Sequence, residues 1–408
     1  MTAELPSPPA WSKQLTTVGV TGTNGKTSTT RWLAATLARV ASPVAQATTL
    51  GSFLDDEPLE VEKTWEGFIA TMKAGFDRGG KFASIELTSE ALARGFAKAW
   101  PCKIGVFTNL THDHLDAHGT PEHYLASKAQ LFVHLPPGGT AVLNACDPSS
   151  ELLAEVIPDG VRVLRYGVPS RGEPTGPLDL RATRIDLAWT GTTIALEASD
   201  TLKALGDVPP TMTIRAIGDV YAENAMAALL GGVAAGVPMK DAVAALEAVA
   251  PPRGRFEVVH ERPYVVVDYA HTPDALARTL AIGRRLCDGT KGKLVVVFGA
   301  GGNRDKNKRA PMGEAASKAD AIVLTSDNPR SEDAGAIAGA IRKGIKGKRD
   351  VVFEIDREAA IAIAVKRAGA DDVIIVAGKG HESEQIIGHV TRHFDDVEVA
   401  RMAIATRP

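Results

Sequence analysis

The chain has 408 residues, too long for one ordinary domain and enough for two or three units of about 150 residues each. Its hydrophobic content of 44% and charged content of 23% are those of a folded globular protein and exclude disordered and collagen-like classes. Lys plus Arg number 46 against 49 Asp plus Glu, a net charge of -3, which argues against nucleic acid or an anionic membrane surface as the main partner.

Residues 1–15 read as an N-terminal tail. MTAELPSPPAW has neither a basic segment nor an apolar run of the kind a signal peptide needs. Thr16–Thr21 reads as a strand and residues 26–40 as the helix behind it. Phe82–Glu86, Lys103–Thr108 and Gly139–Asn144 read as further strands, an alternation with helices that predicts a parallel α/β sheet. Between residues 160 and 215, short alternating segments such as Thr192–Leu196 suggest an antiparallel excursion. An alanine-rich helical region follows, to about Val249. Its most apolar stretch, Ala225–Met239, is shorter than the ~20 residues a membrane span requires and contains Gly231, Gly232 and Gly236. Pro251-Pro252-Arg253-Gly254 stops that helix and reads as a linker. Beyond it, strands at Tyr264–Asp268, Lys293–Phe298, Ala321–Thr325, Val351–Glu354 and Val373–Val376 alternate with helices at Pro273–Leu286 and Ile337–Ile345. The expected organisation is a P-loop ATPase-type central domain with a parallel sheet over 16–254 and a C-terminal Rossmann-like α/β domain over 255–408. Cys102, Cys146 and Cys287 have no metal-ligand or CxxC spacing, and with the absent signal peptide they suggest a reducing, cytoplasmic setting.

The most informative segment is VGVTGTNGKTSTTRWLAATL. A strand runs into Gly22-Thr23-Asn24-Gly25-Lys26-Thr27-Ser28 and a helix begins at once. Glycines let successive N–H groups curl around one anion, and the helix N-terminus adds a favourable dipole. Lys26 would meet the β/γ-phosphates and the Thr27 hydroxyl would ligate Mg²⁺. The usual GxxxxGK[ST] spacing is not met, because position 20 is Val.

Two further segments place charge at strand ends, where α/β sheets bind ligands. Glu86 closes one apolar strand. After another comes Thr108-Asn109-Leu110-Thr111-His112-Asp113-His114-Leu115-Asp116-Ala117-His118, with Ser127-Lys128-Ala129 behind it on a helix. Such a density of charge is costly to bury without a metal or phosphate. Taken singly, each residue also has a plain structural reading: Asp113 or Asp116 as a helix cap, His112 as a surface imidazole, Lys128 as a solvated lysine.

These motifs, with Ala222-Glu223-Asn224-Ala225, RGRFEVV, VVVDYAHTPDAL, FGAGGNRDKNKR, SDNPRSED and AGKGHESEQII in the same order, resemble the Mur ligase family, the MurE type above all. The resemblance spans about residues 16–400. It implies an ADP-forming amide ligase that joins a carboxylate acceptor to an amino acid through an acyl-phosphate, with ATP and two Mg²⁺ as cofactors. By it, Lys26 and Thr27 hold the triphosphate and the first Mg²⁺. Glu86 and His114 are ligands of the second, and Lys128 is carried as a carbamate. Asn224 and His271 lie near the adenine, and Asp268 shares the motif of His271. Arg304 lies near phosphate and the incoming amino acid; Asp327, Asn328, Arg330, Gly378 and Glu382 contact that amino acid. His381 is a guess for the base that takes the amine's proton. Closure of the C-terminal domain would make Arg253-Gly254-Arg255 a hinge.

Departures from the family pattern cluster on the acceptor side. The phosphate loop begins at residue 22, so the N-terminal domain that holds a uridine nucleotide is expected to be absent. Val61-Glu62-Lys63-Thr64-Trp65-Glu66 stands where the family has an NTTP-like segment, Thr88-Ser89-Glu90 where it has SSH, and Asn303 where it has Asp. The expected acceptor is therefore a small-molecule carboxylate other than the usual UDP-MurNAc-dipeptide. A murein tripeptide ligase completed by another chain, and a non-catalytic ATP-binding scaffold, are the alternatives. A P-loop GTPase is disfavoured by the lack of an NKxD string.

Overall fold

The computed structural model describes residues 5–110, 120–289 and 291–407. Contacts divide the chain into two compact units. One comprises residues up to Asp186, Gly191–Arg215 and Asp219–Val249; the other comprises Leu187–Thr190, Ala216–Gly218 and everything from Ala250.

The first unit is built on strands β1 (Thr16–Thr21), β2 (Ala45–Thr48), β3 (Gly51–Leu54), β4 (Glu57–Leu59), β5 (Phe82–Glu86), β6 (Ile104–Phe107), β7 (Thr140–Asn144), β8 (Arg162–Gly167), β9 (Leu180–Ala188), β10 (Gly191–Ala198) and β11 (Thr211–Ile214). They form one sheet in the order β11-β10-β9-β8-β7-β6-β1-β5-β2-β3-β4. β2, β5, β1, β6, β7 and β8 are mutually parallel, as apolar strands alternating with helices require. The sheet is nevertheless mixed. β10 and β11 pair antiparallel, as the alternation in that region suggests, and β2-β3-β4 add an antiparallel edge that the sequence reading did not foresee. Both are short hairpins around residues 49–50 and 55–56 with too few residues for a clear period-2 signal.

The helix Lys26–Leu37 buries Trp32, Leu33 and Leu37, and the helix Asp219–Ala234 is buried on almost every side. Gly231 and Gly232 allow the two to approach: a Cβ at Gly232 would lie 2.4 Å from Thr36 Cγ2. The segment before β1 is docked through Trp11, which stacks on Phe76 at 5.3 Å and meets Trp100 edge-on at 6.0 Å. The tail expected over residues 1–15 thus carries a docked turn at its end.

The second unit contains β12 (Glu257–His260), β13 (Tyr264–Asp268), β14 (Leu294–Phe298), β15 (Ala321–Leu324), β16 (Asp350–Phe353) and β17 (Val373–Ala377) in the order β12-β13-β17-β14-β15-β16. All neighbours but β12 and β13 are parallel. A hairpin of β18 (Glu384–Ile387) and β19 (Val390–His393) stands apart from that sheet. Central strands β14 and β17 are buried on both faces, which explains their unbroken Leu/Val/Ile runs. Among the described residues no helix is long and apolar enough to cross a membrane.

Candidate active site

In the first unit the loop after β1 is held by the end of the neighbouring strand. Thr23 N–H donates to Asn109 O at 2.7 Å, Asn24 N–H to Asn109 Oδ1 at 2.9 Å, and Thr108 Oγ1 to Asn24 O at 2.7 Å. Glycine is obligatory at two points. Gly25 has φ 83°, and a Cβ there would sit 2.2 Å from Asn224 Oδ1; one at Gly22 would sit 1.9 Å from Thr108 Oγ1. Asn224, 3% exposed, thus packs its amide directly against the loop. The sequence motif alone gives Thr108 and Asn109 no role, because their value as loop braces depends on pairing across about 85 residues.

Gly25 caps the helix Lys26–Leu37 with no side-chain hydrogen bond, and the first turn holds no acidic residue. Its leading N–H groups, with Lys26, Thr27 and Ser28 in that turn, therefore suit an anion such as a phosphate. Lys26 Nζ donates to Thr23 O at 2.8 Å and lies 4.0 Å from Glu86 Oε1. The Thr27 hydroxyl donates to Glu86 Oε2 at 2.8 Å. Glu86 is thereby brought to the loop from the end of β5, its side chain only 2% exposed.

Lys128 reaches the same loop from the helix Pro121–Val133. It is 1% exposed, donates to Gly22 O at 2.7 Å and stands 4.3 Å over the Tyr124 ring. Burial, reinforced by the nearby positive charge of Lys26, pulls its pKa down from 10.5 to about 6. This is not the solvated lysine of the plain reading. His112, Asp113, His114, Asp116 and His118 lie outside the described residues, so the expected ligand His114 is not placed. Among the described residues no group of three or more His, Cys, Asp or Glu could hold a metal ion. Mg²⁺ does not need one: it keeps several waters and takes one or two carboxylates beside phosphate oxygens, a demand that Glu86 and Thr27 fit.

The second unit gathers the remaining candidates at the C-terminal ends of β13, β15 and β17. Asp327 and Asn328 follow β15 and are 7% and 8% exposed. Gly378 follows β17 with φ 118°, and a Cβ there would lie 3.0 Å from Asp327 Oδ2. Asn328 Nδ2 donates to Glu382 Oε2 at 3.1 Å, while Asn328 Oδ1 accepts from Ile386 N–H at 3.0 Å. The fully buried Lys379, to which the sequence gave no role, completes this set: its ammonium lies 3.3 Å from Glu382 Oε2 and 3.4 Å from Asn328 Oδ1.

Arg330 has φ 51°, and its Nη1 donates to Gly302 O at 2.9 Å. That bond brings the DNPR turn against the segment holding exposed Arg304. Glu332 ties the same two segments, accepting from Asn303 N–H at 2.6 Å and from Arg309 Nη2 at 3.0 Å. Asn303 itself sits at φ 53° and accepts from the Ser331 hydroxyl at 3.0 Å. Asparagine and aspartate both tolerate that backbone region, so nothing in this geometry explains the departure.

His271 is half-buried, its Nδ1 3.0 Å from Tyr269 O; burial lowers its pKa. Asp268 is enclosed by Phe256 N–H at 2.7 Å, Ala270 N–H at 2.9 Å and the Thr279 hydroxyl at 2.9 Å, and its role is to brace the end of β13. His381 lies 5.0 Å from the Tyr269 ring, its pKa also lowered by burial. The expected hinge residues are fastened to this unit. Arg253 pairs with Asp395 at 2.6 Å, Gly254 N–H donates to Glu257 Oε2 at 2.7 Å, and Arg255 stacks over Tyr269 at 4.4 Å.

A glycine-lined loop running into a helix N-terminus, with a lysine, a threonine and a carboxylate beside it, is suited to a nucleoside triphosphate, as ATP-dependent ligases require. Residues 20–231 match the Mur ligase middle domain and residues 254–380 the Mur ligase glutamate ligase domain. The UDP-N-acetylmuramoyl-L-alanyl-D-glutamate–2,6-diaminopimelate ligases of Bacillus velezensis and Ralstonia nicotianae are each 39% identical to the chain. The matches cover 96% and 99% of it and 79% and 78% of those proteins. A solved structure of a ligase of that name has a TM-score of 0.71 at 32% identity, covering 96% of this chain and 78% of that one. MurF from Acinetobacter baumannii shares the fold, with a TM-score of 0.68 at 17% identity. The chain belongs to the Mur ligase family.

Proposed function

We propose that the chain is a MurE-like ligase that uses ATP to activate a carboxylate and then couples it to the amino group of an amino acid. One carboxylate oxygen attacks the γ-phosphorus, the bond to the β,γ-bridging oxygen breaks, and ADP leaves. The amine then attacks the acyl carbon, loses a proton, and inorganic phosphate departs. The observation that carries this reading is the convergence of Lys26, Thr27 and Glu86 on one helix N-terminus that has no side-chain cap. Lys26 stabilises the charge spread over the γ-oxygens in the transition state. Thr27 would hold the first Mg²⁺ and Glu86 the second; when bound they screen two mutually repelling anions.

Lys128 supports the carbamate reading. A buried amine with a pKa of about 6 is neutral at pH 7 and can add CO₂, and the product is an anion able to approach a metal. With Glu86, it and His114 would form the second of two Mg²⁺ sites. On the amino acid side, Arg330 keeps Nε and Nη2 for a carboxylate, while Asp327 and Glu382 offer acceptors to an ammonium group. Arg330→Ala is expected to raise the amino acid KM by about 10²-fold while the ATP KM stays within about twofold. Equal increases in both would assign Arg330 a structural role.

The acceptor is read as a carboxylate other than UDP-MurNAc-dipeptide, because residues 61–66 and 88–90 depart from the family pattern on that side. Phosphate release by the purified chain with ATP, UDP-MurNAc-dipeptide and diaminopimelate tests this. The expected result is no turnover above background; robust turnover would restore the murein acceptor.

A further inference from the structure

We propose that Thr49, in the turn between β2 and β3, is a positioning residue for the Glu86 carboxylate, and that Lys63 holds Thr49 in place. This rests on the reading of Glu86 as a metal-binding carboxylate.

Thr49 N–H donates to Glu86 Oε2 at 3.1 Å, and the Thr49 hydroxyl lies 3.2 Å from Oε2 and 3.4 Å from Oε1. The Thr27 hydroxyl donates to Oε2 as well. Oε2 is therefore the focus of three donors, two from the β2–β3 turn and one from the first turn of the helix Lys26–Leu37, while Oε1 is turned toward Lys26. The last torsion of a glutamate is broad and nearly two-fold, so a lone carboxylate rotates readily about it. Donors concentrated on one oxygen fix that plane.

Thr49 is itself exposed, so packing does not hold it. Hydrogen bonds do. The Thr48 hydroxyl donates to Gly51 O at 3.1 Å and accepts from Leu50 N–H at 3.2 Å, which shapes the turn. Lys63 Nζ then donates to Thr49 O at 2.8 Å. Lys63 lies just before Thr64, the cap of the helix Trp65–Asp77, whose hydroxyl accepts from Gly67 N–H. The chain of contacts runs from a capped helix through Lys63 and Thr49 to Glu86, and it connects the divergent segment 61–66 to the phosphate site. Groups that orient a metal ligand are worth about 10- to 100-fold in metal affinity.

The test is a calorimetric titration of the full-length chain with a non-hydrolysable ATP analogue at a series of Mg²⁺ concentrations. Wild type is compared with Thr49→Val, Thr49→Ser, Lys63→Met and Glu86→Gln. Thr49→Val is expected to raise the Mg²⁺ concentration needed for half-maximal binding about tenfold. Thr49→Ser, which restores the hydroxyl, is expected to behave like wild type, and Lys63→Met to fall between them. A purely structural Thr49 would lower the melting temperature and leave the Mg²⁺ dependence alone. If Glu86→Gln loses Mg²⁺ dependence but Thr49→Val titrates like wild type, the positioning role is wrong. If Glu86→Gln itself keeps the wild-type dependence, the metal-site reading fails and takes this inference with it.

Discussion

Lys128→Ala is expected to lower turnover by about 10²- to 10³-fold, the loss typical when one preorganised charge is removed from a reacting site. The side chain is buried against the loop through Gly22 O, and alanine leaves neither an amine to carry a carbamate nor an ammonium. Added bicarbonate is expected to give little rescue, because no amine remains to take up CO₂. The stability effect has the opposite sign. The folded pKa of about 6 lies well below the ordinary 10.5, so between those values the unfolded chain binds the extra proton. Stability therefore rises with pH across that window, and the penalty for burying the amine is full below pH 6. Lys128→Met, which keeps the volume without the charge, is expected to melt higher than the uncarbamylated wild type near pH 6. That advantage should shrink toward pH 10. Melting curves in CO₂-depleted buffer from pH 6 to 10 check this; a constant difference would mean that the native amine is not buried as described.

The second large effect concerns Arg357 and Asp396, both fully buried. Arg357 donates to Asp396 through Nε and Nη2, each at 2.7 Å. It also donates to Ser326 O at 3.2 Å and Ala377 O at 3.0 Å. Those carbonyls immediately precede Asp327 and Gly378, so one guanidinium ties together the strand ends that present the amino acid candidates. Asp396→Ala leaves that charge buried without its partner and is expected to cost about 3–5 kcal/mol. Urea denaturation of the intact chain should show the loss in the transition of the second unit. Replacing both residues by apolar ones of similar volume is expected to recover much of that stability. It should still weaken amino acid binding, because the two carbonyls lose their common donor. A loss below about 1 kcal/mol for Asp396→Ala, as at an exposed pair, would contradict this account.

The parallel strands were legible because each is an apolar run closed by a turn residue, and Thr16–Thr21 and Phe82–Glu86 have the same bounds in sequence and structure. The hairpin β18–β19 was not, because its mostly exposed residues lack a one-sided apolar pattern. In the site, residues adjacent in a motif were legible: Lys26 and Thr27 announce themselves by their place after a glycine turn. Thr49, Lys63, Lys379 and Arg357 act through partners distant in the chain or through burial, and nothing in their immediate neighbours marks that. Lys128 shows the same limit from the other side, since only the fold reveals that its amine is enclosed.

The most direct test of the central claim is hydroxylamine trapping with purified chain, Mg²⁺, ATP and a panel of candidate carboxylates. The account predicts a hydroxamate formed in step with ADP for at least one carboxylate, and none with Lys26→Ala. ATP binding with neither ADP nor hydroxamate across the panel would contradict carboxylate activation and leave only a nucleotide-binding protein of this fold.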